Sequence, residues 1–175
     1  MRPKAVVKKI CILGDPAVGK TSLVGRFVHT QFGEDYLSTI GASVMEKPME
    51  LEIGDKKRSL QLVIWDIAGQ HQFTSVTPGF YRGAEGALLV CDLTRRETLR
   101  NLFRWDHQFK SASAAHNAVI LYNKSDLKEK CEVTFEEAER AALQLNCPYL
   151  MTSAKTGENV EEAFRALALK LLGGR

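Results

Sequence analysis

Disulfide chemistry is absent from this sequence as a pattern. Its four cysteines, Cys11, Cys91, Cys131 and Cys147, are scattered and include no C-x-x-C pair. That excludes a disulfide scaffold and zinc-ribbon spacing, and predicts free thiols in a reducing compartment. Long apolar runs are missing too: none approaches the ~18 residues of a membrane-spanning helix. Met1-Arg2-Pro3-Lys4 is neither a secretory leader nor a myristoylation signal, which needs glycine second. Leu172-Gly173-Gly174-Arg175 offers no cysteine for prenylation. No membrane anchor is visible in this sequence, and a cytoplasmic location is expected, membrane-peripheral only if a lipidated tail follows it. Nor does charge of one sign dominate. Lys and Arg number 24 against 21 Asp and Glu, a net +3 that is too mild to argue for nucleic acid. Arg2, Lys4, Lys8 and Lys9 read as a solvated flank. No repeat, low-complexity tract or linker interrupts the chain, so residues 1–175 are expected to form one domain.

What is present begins with Gly14-Asp15-Pro16-Ala17-Val18-Gly19-Lys20-Thr21. It fits G-x-x-x-x-G-K-[ST], with the apolar run Ile10–Leu13 before it and an apolar-periodic segment, Ser22–Val28, after it. In that strand–loop–helix setting, backbone N–H groups from Ala17, Val18, Gly19, Lys20, Thr21 and Ser22 can curl around an anion at a helix N-terminus. Lys20 would reach the terminal phosphates of a nucleoside triphosphate, and the Thr21 hydroxyl would coordinate Mg2+.

Hydrophobic periodicity predicts strands over 8–14, 43–53, 58–66, 86–92, 118–122 and 148–152. It predicts helices over 19–29, 96–110, 134–144 and 157–172, the second burying Leu99, Leu102, Phe103 and Trp105. Gly54-Asp55-Lys56-Lys57 signals a hairpin, and Thr134 ahead of Glu136 and Glu137 signals a helix start. The alternation implies an α/β fold with a mostly parallel sheet covered on both faces. Ligands bind such sheets beyond the carboxyl ends of the strands, and each further motif falls there.

Asp66-Ile67-Ala68-Gly69-Gln70 supplies a carboxylate for Mg2+ through a water, a Gly69 N–H that can approach a terminal phosphate, and a Gln70 amide that can orient an attacking water. Ala-Gly is also a common turn pair, and only the phosphate loop upstream favours chemistry. In Asn123-Lys124-Ser125-Asp126 the Asp126 carboxylate can accept paired bonds from guanine N1–H and its amine. Adenine lacks both donors. Read alone, this tetrapeptide is a polar turn. Ser153, Ala154 and Lys155 could meet guanine O6 and cover the base; alone they are a small-residue loop. Thr39 could ligate metal when a third phosphate is bound, although by itself it reads as an exposed turn threonine.

The ordered set GDPAVGKT, Thr39, WDIAGQ, NKSD and TSAK resembles the small GTPases of the Ras superfamily. YLSTIGAS, FYRGAEGALLVCDLT and NKSDL are most similar to the Rab branch. The resemblance spans about residues 8–172. It implies a P-loop NTPase sheet of six strands, one antiparallel at the edge, with five helices. It further implies a monomeric switch that binds GTP or GDP with Mg2+ and hydrolyses GTP slowly. Two loops, about 32–42 and 66–80, would reorder to select protein effectors and regulators. Phe32 would pack on the guanine edge, where the residues alone suggest a core aromatic. Lys20, Gln70 and Thr39 would form the catalytic set, and Thr21, Thr39 and Asp66 the metal set.

Two segments depart from the family pattern. Pro16 removes an N–H donor from the phosphate loop and adds bulk where a partner's arginine would enter. His71-Gln72 replaces an acidic–basic pair that shapes the second switch. Pro16 keeps open a GTP-binding scaffold with little turnover. A metabolic kinase using ATP is disfavoured by Asn123–Asp126.

Overall fold

The computed structural model describes residues 5–29, 41–69 and 77–173. Within them the chain runs β1 (Val6–Leu13), α1 (Lys20–His29), β2 (Ala42–Ile53), β3 (Lys56–Ile67), α2 (Thr77–Tyr81), β4 (Gly86–Asp92), α3 (Arg96–Ala112), β5 (Asn117–Asn123), α4 (Phe135–Leu145), β6 (Tyr149–Met151) and α5 (Val160–Leu171). The six strands form one sheet in the order β2-β3-β1-β4-β5-β6. Only the β2–β3 pair is antiparallel. The implied sheet and its five helices are present.

Strand alternation divides the core in two. Ile10 and Ile12 of β1, with Leu88, Val90, Val119 and Leu121, pack against α1 and α5. Cys11 and Leu13, with Leu89, Cys91, Ile120 and Tyr122, pack against α2, α3 and α4. A period of two places successive side chains on opposite faces, so each central strand feeds both layers. On the first face Phe27 of α1 stacks on Phe164 of α5 with ring centroids 4.0 Å apart. The four cysteines are free, and burial pushes the Cys11 and Cys91 thiols up to about 12.

Local differences from the periodicity have physical causes. The hairpin loop is two residues, not four: Ile53 pairs with Lys56, and Gly54 turns the chain at φ +59°. Phe103 is not on the buried side of α3. Thr98, Leu99, Leu102, Trp105, Asp106 and Phe109 form that stripe, and Phe103 falls off it at 38% exposure. The α2 helix has five residues, too few for a 3.6-residue pattern to register. Thr134 and Glu137 form a complete capping box at the start of α4. The last helix begins at Val160 rather than 157, after Asn159 in the left-handed conformation. No described helix is long and apolar enough to cross a membrane.

Candidate functional site

The parallel strands β1, β3, β4, β5 and β6 all end at one rim of the sheet, and the loops that follow them meet there. The first of these loops, residues 14–19, has five consecutive carbonyls held by side chains. Lys20 Nζ donates to the Gly14 and Asp15 oxygens, each at 2.9 Å. Arg95 Nη2 donates to the Pro16 oxygen at 2.7 Å. Lys124 Nζ takes the Ala17 oxygen at 3.0 Å, and Asn123 Nδ2 the Val18 oxygen at 2.9 Å. A planar trans peptide sets N–H opposite C=O. Fixing these carbonyls therefore aims the N–H groups of Asp15, Ala17, Val18 and Gly19 the other way, and Pro16 has none to aim. Ala17 lies in the left-handed region at φ +62°. Such a run of N–H groups forms an anion-binding concavity.

Lys20 opens α1 and is 6% exposed. Burial lowers its ammonium to about 8, against the opposing pull of the Asp66 and Asp15 carboxylates. Beside it the Thr21 hydroxyl donates to the carboxylate of Asp66, which is itself 1% exposed near the end of β3. These are hard oxygen donors in contact, the kind magnesium takes from proteins while keeping several waters. The residues present thus fit that ion. Among the described residues no group of three or more His, Cys, Asp and Glu could hold a metal. Gly69 lies directly on the phosphate loop. A Cβ there would stand 2.6 Å from the Asp15 carbonyl carbon and the Pro16 nitrogen, so no larger residue fits. Ser22 is half-buried in the first turn of α1.

The base-side loops are joined through Asn123, which ends β5 and is 1% exposed. Besides its bond to Val18, its Oδ1 accepts from Thr152 Oγ1 at 3.2 Å and from the Ala154 N–H at 3.3 Å. One side chain thus ties the loops after β1, β5 and β6 together. Lys124 follows at φ +67°, a second left-handed non-glycine residue, and its Nζ also pairs with Asp92 Oδ2 at 2.7 Å. Backbone strain of this kind costs on the order of 1–3 kcal/mol per residue and persists where surroundings enforce it. Here one strained residue is bonded to the other. Asp126 is half-buried, and its Oδ1 accepts from Ser153 Oγ at 2.7 Å. Ser125 Oγ reaches Glu158 at 2.5 Å, closing the β5 loop onto the β6 loop. Ser153 and Ala154 are buried, and Lys155 is exposed.

The structure thus brings Ala17, Val18, Gly19, Lys20, Thr21, Ser22, Asp66, Gly69, Asn123, Lys124, Asp126, Ser153, Ala154 and Lys155 to one rim. Phe32, Thr39 and Gln70 lie outside the described residues, as do His71 and Gln72.

Three residues around the site have no role assigned from the sequence. Asp15 accepts from Trp105 Nε1 at 2.8 Å, Asn101 Nδ2 at 2.6 Å and Arg104 Nη2 at 3.4 Å, anchoring the loop to α3. Asp92 ends β4 as Asp66 nearly ends β3 and Asn123 ends β5, and that shared position was a usable signal. Burial alone would raise Asp92. Hydrogen bonds from Lys124, Thr94 and Arg95 outweigh it and hold the carboxyl below its usual value. Arg95 bridges Asp92 and the phosphate loop.

The model of the Ras family matches residues 9–173. The Ras-related protein Rab-13 of Rattus norvegicus is 39% identical over 171 residues, covering 95% of this chain and 82% of that protein. The Ras-related protein Rab-4A of the same organism is 44% identical over 165 residues, covering 94% of this chain and 74% of that protein. Rab-13 of Bos taurus is 37% identical over 171 residues. With the phosphate loop, the base-side loops and the sheet topology in place, the chain belongs to the Ras family, as a Rab-like, GTP-binding switch GTPase.

Proposed function

We propose that this chain, as one domain, holds GTP or GDP with magnesium across the rim, hydrolyses GTP slowly, and signals the difference through residues about 32–42 and 66–80. The observation that carries the proposal is the fixing of carbonyls 14–18. It prepares donors for a polyphosphate, while Asn123 sets the base-side loops against the same segment.

In this reading Lys20 and the N–H groups of residues 17–22 donate to the β- and γ-phosphate oxygens. Thr21 and Thr39 offer hydroxyls to the metal, with Asp66 acting through a water. Magnesium, when bound, supplies charge neutralisation on the phosphates. Gln70 orients the attacking water, and the Gly69 N–H meets the γ-phosphate. Asp126 accepts from guanine N1–H and its amine. The Ala154 N–H faces O6, Ser153 holds Asp126, Lys155 and Phe32 flank the base, and Asn123 and Lys124 keep the loops in register. Loss of the γ-phosphate removes what holds Thr39 and Gly69, which changes the surface offered to protein partners. The protein acts as a monomer, in the cytoplasm or, where a lipidated tail follows this sequence, at a membrane surface.

The test is the identity of the nucleotide that co-purifies, followed by single-turnover hydrolysis with magnesium. GTP or GDP is expected, with phosphate release slowed in Gln70→Leu. A second reading, a GTP-holding scaffold, is favoured by Pro16, which leaves the loop one donor short. Equal, negligible turnover in wild type, Gln70→Leu and Pro16→Gly would select it.

A further inference from the structure

Arg95 is a cation at the phosphate loop that neither motif nor resemblance assigns. It is the last residue before α3. Its Nη2 bonds the Pro16 carbonyl at 2.7 Å and its Nε bonds Asp92 Oδ2 at 3.1 Å. Guanidinium has five N–H donors. Two are used here, and no described residue takes the remaining three. The side chain is 42% exposed while its Asp92 partner is 1% exposed, so one flank is anchored and the other is open.

Its position relative to Lys20 is informative. The Lys20 ammonium sits on the carbonyls of residues 14 and 15, and the Arg95 guanidinium on that of residue 16. Two cations therefore grip adjacent peptide units of one loop. They sense each other: after burial and the two nearby carboxylates, the Arg95 charge is a further influence on Lys20, acting to lower it. Like charges brought together are relieved by an anion between them. Pro16 leaves the peptide unit held by Lys20 through the Asp15 carbonyl without an N–H, and Arg95, with donors to spare, holds the unit next to it.

We propose that Arg95 is a built-in cation for the terminal phosphate, donating its open N–H groups to γ-phosphoryl oxygens during hydrolysis. The inference rests on the nucleotide-switch reading above. In that step a water oxygen bonds to the γ-phosphorus and the bond to the bridging oxygen breaks. The electron pair leaves on the β-phosphate of GDP, and the protons of the water leave with the released phosphate. Arg95 takes no proton, since guanidinium stays charged throughout. Its planar fork suits the equatorial oxygens, and Asp92 fixes its orientation.

The test compares wild type, Arg95→Ala and Arg95→Lys, without any partner protein. Single-turnover GTP hydrolysis, GDP affinity and capture of GDP with fluoroaluminate are measured on each. Arg95→Ala is expected to slow hydrolysis at least about tenfold. Because its bond to the Pro16 carbonyl is lost as well, GDP affinity should fall too, but by about tenfold less than the rate does. Fluoroaluminate capture should fall, Arg95→Lys should be intermediate, and added guanidinium salt should restore the rate where equal sodium chloride does not. Wild-type turnover retained in full by Arg95→Ala would overturn this inference alone. So would parallel loss of rate and GDP affinity without guanidinium rescue, the pattern of a mere strut. Absence of guanine-nucleotide binding or turnover in wild type would overturn it together with the reading beneath it.

Discussion

The indole N–H of Trp105, midway along α3, donates to the Asp15 carboxylate of the phosphate loop at 2.8 Å. Asn101 and Arg104 reach the same carboxylate from the same helix face, since residues three and four apart are neighbours on a helix. The loop is therefore moored to α3 by one buried acid. Asp15→Ala would strand the indole N–H and the Asn101 amide. The buried indole orphan costs about 1–3 kcal/mol and the half-buried amide less, so a loss of roughly 3 kcal/mol is expected in urea denaturation. Trp105→Phe should cost less, because Asp15 keeps two donors. An Asp15→Ala protein as stable as wild type would show that the mooring contributes nothing.

Asn123 makes a second forecast. Asn123→Asp keeps the acceptor used by Thr152 and Ala154 but turns the Nδ2 donor into an oxygen facing the Val18 carbonyl. Dissociation of a fluorescent GDP analogue should accelerate at least about tenfold, a loss of some 1.4 kcal/mol or more. Unchanged dissociation would mean that the three loops hold their register without this clamp.

Lys20 links the site to pH. Its ammonium is lowered from 10.5 to about 8 in the folded protein. Between those values the unfolded chain binds more protons than the folded one, so stability rises with pH there. Below pH 8 the full penalty is present, up to about 3 kcal/mol for a shift of this size. Nucleotide-free Lys20→Met should thus be more stable than wild type at pH 7, with the gap narrowing as pH climbs from 8 to 10.5. A gap that widens with pH contradicts the assignment. The same shift predicts proton uptake on GTP binding near pH 9, read by calorimetry in two buffers of different ionisation enthalpy.

How much of this was visible beforehand depends on sequence separation. The phosphate loop was legible because its residues are contiguous and its flanking strand and helix carry opposite periodicities. The carboxyl-end rule then grouped Asp66, Asn123 and Ser153 without coordinates. Asn123 stands in the tetrapeptide that the sequence marks for guanine, but its bond to Val18 is hidden there because the partners lie 105 positions apart. The mooring of Asp15 to Trp105 spans 90 positions, with only a single charged letter to announce it. Phe103 was misplaced because an aromatic next to a buried stripe looks like part of it. The short α2 gave too few residues for any period to emerge.

Asp126 is open to a change of substrate. Replacing its carboxylate by an amide, Asp126→Asn, removes one acceptor and adds a donor. Guanine loses its match, whereas xanthine, which carries an oxygen where guanine has its amine, gains one. Nucleotide competition should shift toward xanthosine triphosphate by about tenfold or more. No shift would remove Asp126 from contact with the base.

The most direct measurement is calorimetric titration of nucleotide-stripped protein with GTP and with ATP, each with magnesium. GTP is expected to bind at micromolar affinity or better, with ATP weaker by about a hundredfold, as a charged acceptor left unpaired requires. Equal affinity for the two, or heat from neither, would contradict the claim that these loops build one guanine-nucleotide site.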